Sequence, residues 1–272
     1  MSWLSRSWSS PVLRAGALSL TPLAAGAFGV MVMAEHGATG AQRGLQIGAL
    51  ALGVVLASSL ARLGRERLGA ACPWAAGAAI AILGSTLASE GMSGARRWIL
   101  LGPIRMHASS LTSPMILVGA ALLLTRGRVA WASALLLAGQ LVHALQPDAG
   151  QATALAVGGT VLLAAGARLT PARALVALAL VGAAALTWSR LDALPAVPIV
   201  EGIVALAGAW GRSGQALAVA LLAAIPLGLA LVAYLTTTLL VPLFGNYPVP
   251  VMGFGASPIL GVALCVGVVA ID

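Results

Sequence analysis

Apolar stretches long enough to cross a bilayer follow one another from Ala15 to Ile271 with only short polar breaks between them. Inside hydrocarbon no water is available to the backbone, so such stretches must bond their own N–H and C=O groups, and in single segments that means helices. A spanning helix needs about 20 apolar residues, with a range of about 17 to 25. That template predicts about ten spans: Ala15 to Ala34, Leu45 to Leu63, Ala70 to Ser89, Ser109 to Thr125, Val129 to Leu145, Gln151 to Ala167, Ala172 to Ser189, Pro195 to Gly211, Gly214 to Val241 and Ser257 to Ile271. The expected fold class is therefore an all-α integral membrane protein, with residues 1–272 forming a single polytopic transmembrane domain. The first stretch lacks a convincing cleavage site and is expected to remain as the first helix.

Two spans carry structural warnings. The eighth contains Pro195, Pro198 and Glu201, which also fits a half-embedded segment, and the ninth is long enough to be kinked at Pro226. Orientation follows from the arginines in alternate loops, because basic residues are retained on the cytoplasmic side. One side collects ten (Arg6, Arg14, Arg62, Arg65, Arg67, Arg126, Arg128, Arg168, Arg173 and Arg212), the other five (Arg43, Arg96, Arg97, Arg105 and Arg190). Both termini are thus predicted to be cytoplasmic. The carboxylates reinforce the contrast: Glu35, Glu90, Asp148, Asp192 and Glu201 fall on or near the outer side, leaving Glu66 and Asp272 inside.

Composition excludes several functions. With 60% hydrophobic and 8% charged residues the chain is no water-soluble domain. The net charge of +8 comes from arginines scattered between apolar spans, which form no basic face for nucleic acid. Cys72 and Cys265 lie in predicted spans without metal-ligand or disulfide spacing and read as small hydrophobes.

The chemistry concentrates in four outer clusters: Glu90 to His107, the turn Gln146-Pro147-Asp148-Ala149-Gly150, the stretch Arg190 to Glu201, and the Gly- and Pro-rich loop Phe244 to Ser257. Arg96 and Arg97 suit bidentate hydrogen bonding to a pyrophosphate, and equally an interfacial Arg-Arg-Trp anchor with Trp98. Asp148 sits at the mouth of the sixth span, where a carboxylate caps a helix N-terminus. Glu201, set among Val197, Ile199, Val200, Ile203 and Val204, is expected to have a raised pKa suited to a general base. A hydrogen-bonded Glu at a helix start is the other reading. His107 and His143 are expected to be satisfied interior or interfacial residues, and the repeat at Gly158-Gly159 to serve close helix packing.

In order along the chain, these clusters resemble the landmarks of the SEDS family, the FtsW, RodA and SpoVE proteins. GARRWILLGPIRMHASSL, Gly94 to Leu111, is similar to the family's outer-loop pattern Gly-Ala-Arg-Arg-Trp, Gly-Pro and Gln-Pro-Ser-Glu-Leu. LQPDAGQA, Leu145 to Ala152, resembles its Gln-Pro-Asp-Leu-Gly-Thr-Ala turn. VPIVEGIVALAGAWGRSG, Val197 to Gly214, is similar to the segment that opens with the family's catalytic Asp, with Glu201 in that position. PVPVMGFGAS, Pro248 to Ser257, resembles the Leu-Pro-x-x-Ser-x-Gly-Gly-Ser-Ser loop. Here His107-Ala108-Ser109-Ser110-Leu111 lacks that family's Glu, and only Arg190 to Val200 stand where the family carries a long outer loop.

The resemblance implies a SEDS-like bundle in the bacterial cytoplasmic membrane that polymerises lipid II, the undecaprenyl-pyrophosphate-linked disaccharide peptide, on the outer face. It implies Glu201 as the base, with Arg96, Arg97, Trp98, Ser109, Asp148 and Ser257 as substrate-binding residues. The implied partner is a penicillin-binding-protein transpeptidase; no resident metal is implied, and a divalent cation is an optional assistant. Two alternatives stand beside this reading. One keeps the fold as a scaffold or regulator of division or elongation without chemistry, in view of the short outer loop. The other is a lipid flippase or transporter, suggested by carboxylates, prolines and glycines in or beside spans.

Overall fold

The computed structural model describes residues 10–271 apart from 93, 103, 166–168, 191–193 and 226–227. Arg6, Pro103, Arg168, Asp192, Pro226 and Asp272, which enter the sequence argument above, therefore lie outside the described residues. The described chain is helical except for one hairpin: α1 (Pro11–Glu35), α2 (Gly40–Ser85), β1 (Trp98–Leu101), β2 (Ile104–His107), α3 (Ala108–Thr125), α4 (Val129–Leu145), α5 (Ala149–Ala164), α6 (Pro171–Trp188), α7 (Pro198–Glu201), α8 (Ile203–Leu206), α9 (Gly211–Ala223), α10 (Leu229–Leu240) and α11 (Ala256–Val269).

Among the described residues four helices are long and apolar enough to cross a membrane by themselves: Pro11–Glu35, Gly40–Ala88 with its trailing 3-10 turn, Ala108–Thr125 and Pro171–Trp188. Shorter apolar helices include Val129–Leu145 and Ala149–Ala164, which match the predicted fifth and sixth spans closely. The second and third predicted spans lie on either side of Gly64 within α2. Gly64 stands at φ 78°, ψ 162°, a left-handed excursion that lacks a Cβ penalty only in glycine, so a single residue does the work expected of an Arg-rich loop.

The eighth expected span is not a continuous helix. It resolves into α7, α8 and a 3-10 turn at Ala207–Trp210, because Gly202 leaves helical geometry at φ −92°, ψ 6° and Gly211 turns to φ 75°. The ninth is two helices, α9 and α10, and the kink expected at Pro226 falls outside the described residues.

The chain divides into two compact units. The first comprises residues 1–70, 197–227 and 248–272, the second residues 71–196 and 228–247. In the first, α1 packs on α9 and α11, Phe28 and Trp210 meet with ring centroids 5.3 Å apart, and Gly267 approaches Ala57 and Leu60 so closely that a Cβ would stand 2.8 Å from Leu60 Cβ. In the second, α5 is central and packs on α3, α4, α6 and α10. The expected role of Gly158-Gly159 is visible there: a Cβ on Gly158 would stand 3.0 Å from Ala230 O, and one on Gly159 3.0 Å from Leu180 Cδ1. Lipid tails are as apolar as a leucine side chain, so small residues that let backbones approach are what associates such helices. Leu175, Leu178 and Leu186 of α6 are exposed, as befits a surface that faces lipid.

Candidate functional site

The predicted outer loop after α2 is a two-stranded antiparallel hairpin, with Trp98 opposite His107 and Leu101 opposite Ile104. Its tight end exposes Leu100 and Leu101, while the open end runs directly into α3, the Ala108 N–H donating to Arg97 O at 2.9 Å. Periodicity could not announce these strands, because four residues each are too short for an alternation to register. The segment that enters the hairpin sends the two arginines to different surroundings. Arg96 is exposed and its Nη1 donates to Leu87 O at 2.9 Å. Arg97 is only 2% exposed, its Nη2 donates to Pro147 O, and its guanidinium lies 5.7 Å from the Tyr247 ring centroid.

His107, the last residue of β2, is the N-cap of α3. Its Nδ1 accepts from the Ser110 N–H at 3.4 Å and lies 2.8 Å from Ser110 Oγ. An Nδ1 that accepts leaves the ring proton on Nε2, and Nε2 lies 3.4 Å from Asp148 Oδ2. Asp148 caps α5 as expected, its Oδ1 accepting from the Gln151 N–H at 3.2 Å, but it is 0% exposed and does more than cap. Burial pushes its carboxyl up, yet the Arg97 guanidinium first, and the His107 and His143 rings after it, outweigh burial and hold it below the usual carboxylate range. His143 is buried within α4 with Nε2 3.1 Å from Ser113 Oγ.

Glutamines tie this cluster to its surroundings. Gln146 accepts from Ser109 Oγ at 3.2 Å and donates to Leu83 O at 3.1 Å and to Thr86 Oγ1. Gln151 donates to Ser110 Oγ at 3.2 Å and accepts from the Tyr234 hydroxyl at 2.6 Å. The Tyr247 ring also packs edge-on against Trp188 at 5.5 Å. Neither tyrosine was singled out by sequence reasoning, although the signal existed: this chain has two tyrosines, and both belong to the cluster.

The other candidate residues belong to the first unit. Glu201 ends α7, is half-buried, and its Oε2 accepts from the Val197 N–H at 2.6 Å, the hydrogen-bonded arrangement weighed as one of its two readings. Ser257 is buried in the first turn of α11. Of the seven candidates, Arg97, Ser109 and Asp148 are joined in the second unit through the Gln146–Asp148 turn, with Arg96 just before the hairpin and Trp98 on its first strand. As a cation site the cluster is poor: Asp148 is its sole carboxylate and is already compensated by Arg97, and among the described residues no group of three His, Cys, Asp or Glu is arranged to hold a metal ion.

Apolar helices that satisfy their own backbone, with the one buried carboxylate among the described residues compensated by a buried arginine, define an α-helical membrane protein. The sequence model of the FtsW/RodA/SpoVE cell cycle proteins matches residues 27–194, and the chain belongs to that family. No curated protein matches the chain. The fold is shared with the crystal structure of the rod shape determining protein RodA of Thermus thermophilus, with a TM-score of 0.72 at 23% identity over 94% of this chain and 95% of that one. A point mutant of that same RodA matches equally, with a TM-score of 0.72 at 22% identity. A chain from a structure described as the coordination of polymerization and crosslinking by a peptidoglycan synthase complex matches with a TM-score of 0.64 at 20% identity, over 94% of this chain and 96% of that one.

Proposed function

We propose that this protein acts in cell-wall assembly on lipid II, as a peptidoglycan glycosyltransferase of the bacterial cytoplasmic membrane. The observation that carries the reading is the Arg97–Asp148–His107 cluster, in which the Arg-Arg-Trp hairpin and the Gln-Pro-Asp turn meet. A hairpin fixed from below in this way leaves Arg96 exposed and Trp98 half-buried beside His107. In the reaction, a sugar hydroxyl attacks the anomeric carbon of the second lipid-linked substrate. The new glycosidic C–O bond forms, the hydroxyl proton passes to the Glu201 carboxylate, and the C–O bond to undecaprenyl pyrophosphate breaks. Arg96 contacts the departing pyrophosphate through its exposed fork, and Arg97 holds the hairpin and Asp148 in register. Trp98 packs against sugar or lipid, and Ser109 and Ser257, both buried, each support the substrate-facing segment of their own unit. The protein is read as one transmembrane domain of about ten spans with both termini cytoplasmic, working beside a penicillin-binding-protein transpeptidase.

The test is lipid II polymerisation by the reconstituted full chain, alone and with candidate transpeptidases. Polymer that disappears in Glu201→Gln supports the enzyme. A second reading, a scaffold without chemistry, is favoured by the Glu201 carboxylate being engaged with the Val197 N–H. It predicts no polymer in any combination, with lipid II binding retained and weakened by Arg96→Ala.

A further inference from the structure

A buried glutamine in the first unit has no place in the scheme above. Gln46 of α2 is 0% exposed, and its amide faces the irregular loop before α11. Its Nε2 donates to Val251 O at 2.9 Å and Gly253 O at 3.1 Å, and its Oε1 accepts from the Gly255 N–H at 3.0 Å. One side chain thus satisfies three backbone groups that no helix or strand supplies with partners.

The loop needs such a clamp. Val251 stands at φ 61°, rare for a β-branched residue, and the Met252 N–H donates to Pro250 O at 2.6 Å, closing a three-residue turn of the strained kind. A residue held there persists only when its surroundings over-determine it. The same loop holds α7. Phe254 N–H donates to Ile199 O at 2.8 Å and Val249 N–H to Val200 O at 3.1 Å. A four-residue helix leaves its last carbonyls without intrahelical partners, and these two are filled by the loop. Gly253 lies so close that a Cβ would stand 2.3 Å from Val200 O.

We infer that Gln46 is a positioning residue for Glu201: it locks the Val249–Gly255 loop, and the loop fixes α7 and with it the carboxylate at its end. The inference rests on the reading of Glu201 as the general base. Gln46 touches no reacting atom and acts only through the loop, so its loss lowers turnover through misplacement of the base, for which errors near 1 Å cost about a hundredfold.

The experiment compares the wild-type full chain in nanodiscs with Gln46→Met, which keeps the length and removes all three bonds, and with Gln46→Glu, which keeps the acceptor for Gly255 N–H. Backbone amide exchange is read by mass spectrometry, and lipid II polymerisation gives kcat and KM. Peptides covering 249–255 and 197–202 are expected to exchange about tenfold faster in Gln46→Met, those of α3 to α5 unchanged, with Gln46→Glu between. In the same order kcat falls, by about tenfold or more for Gln46→Met, while KM changes little. Unchanged exchange at 249–255 in both variants overturns the clamp. A loosened loop with exchange at 197–202 unaltered overturns the transmission to α7, whether or not the protein polymerises. Loosening at both, with kcat intact where Glu201→Gln abolishes polymer, overturns the positioning role and leaves the base assignment standing. No polymer from wild type refutes the enzyme, and positioning for catalysis falls with it.

Discussion

Replacing Arg97 with methionine tests the central cluster. The change keeps an apolar stem of similar reach and deletes the charge that does most to oppose burial at Asp148. Asp148 is fully buried, so its carboxylate cannot turn to water for compensation. Removing one partner of a buried charge pair typically costs about 3–5 kcal/mol, and at about 2–4 °C per kcal/mol for a chain of this size that predicts a drop in Tm of about 6–20 °C. Asp148→Asn alone should cost less, because an amide oxygen still accepts from Gln151 N–H while Arg97 keeps the Pro147 carbonyl and the Tyr247 ring. The double variant should then be more stable than the sum of the singles by about 1–3 kcal/mol.

The pH dependence supplies the sign. In the wild type the folded pKa of Asp148 lies below its unfolded value, so its stabilisation is present above the ordinary carboxylate range and is lost as pH falls through the folded pKa. Without Arg97, burial dominates, the folded pKa rises above the unfolded one, and stability should increase as pH is lowered from about 7 toward about 5. The assay is thermal unfolding in detergent and nanodiscs across that range for all four proteins. Additive Tm changes, or a stability of Arg97→Met that does not respond to pH, would refute the coupling.

Three further outcomes follow from close contacts. Gly150→Ala would place a Cβ 2.5 Å from Tyr247 Cδ1; overpacking of about 1–3 kcal/mol should exceed the gain of about 1 kcal/mol in helix propensity, so Tm falls. Tyr234→Phe strips the Gln151 amide oxygen of its 2.6 Å donor and should cost about 1–3 kcal/mol, measured by the same unfolding assay. Gly64→Ala forces a Cβ into a left-handed conformation with open space around it, so only backbone strain is added. A loss of about 1–2 kcal/mol with no change in lipid II binding is expected.

The reading of Asp148 as a cap was correct and incomplete. A Pro-Asp pair before an apolar run signals a helix start from neighbouring residues alone, whereas the approach of His107 from 41 positions away depends on how α3 packs on α5. Arg96 and Arg97 look equivalent in sequence, but in the segment that leads into β1 one side chain goes to the surface and the other inward, where Pro147 O and the Tyr247 ring receive it. Gln46 gave no signal at all, since its partners lie 205 to 209 positions away and are backbone atoms, which carry no residue identity.

Hydropathy and the ordered motifs by themselves determined a helical membrane protein, its family and the segments that would become helices, because the cost of exposing a backbone to lipid is local and each apolar stretch answers it alone. The tertiary structure alone decided which polar groups would be buried together, that the eighth apolar segment would break at Gly202, and that Val251 would be held in a strained turn. Those outcomes depend on pairing between residues far apart in the chain, where a buried charge or an orphaned carbonyl takes whatever partner the packing brings within reach.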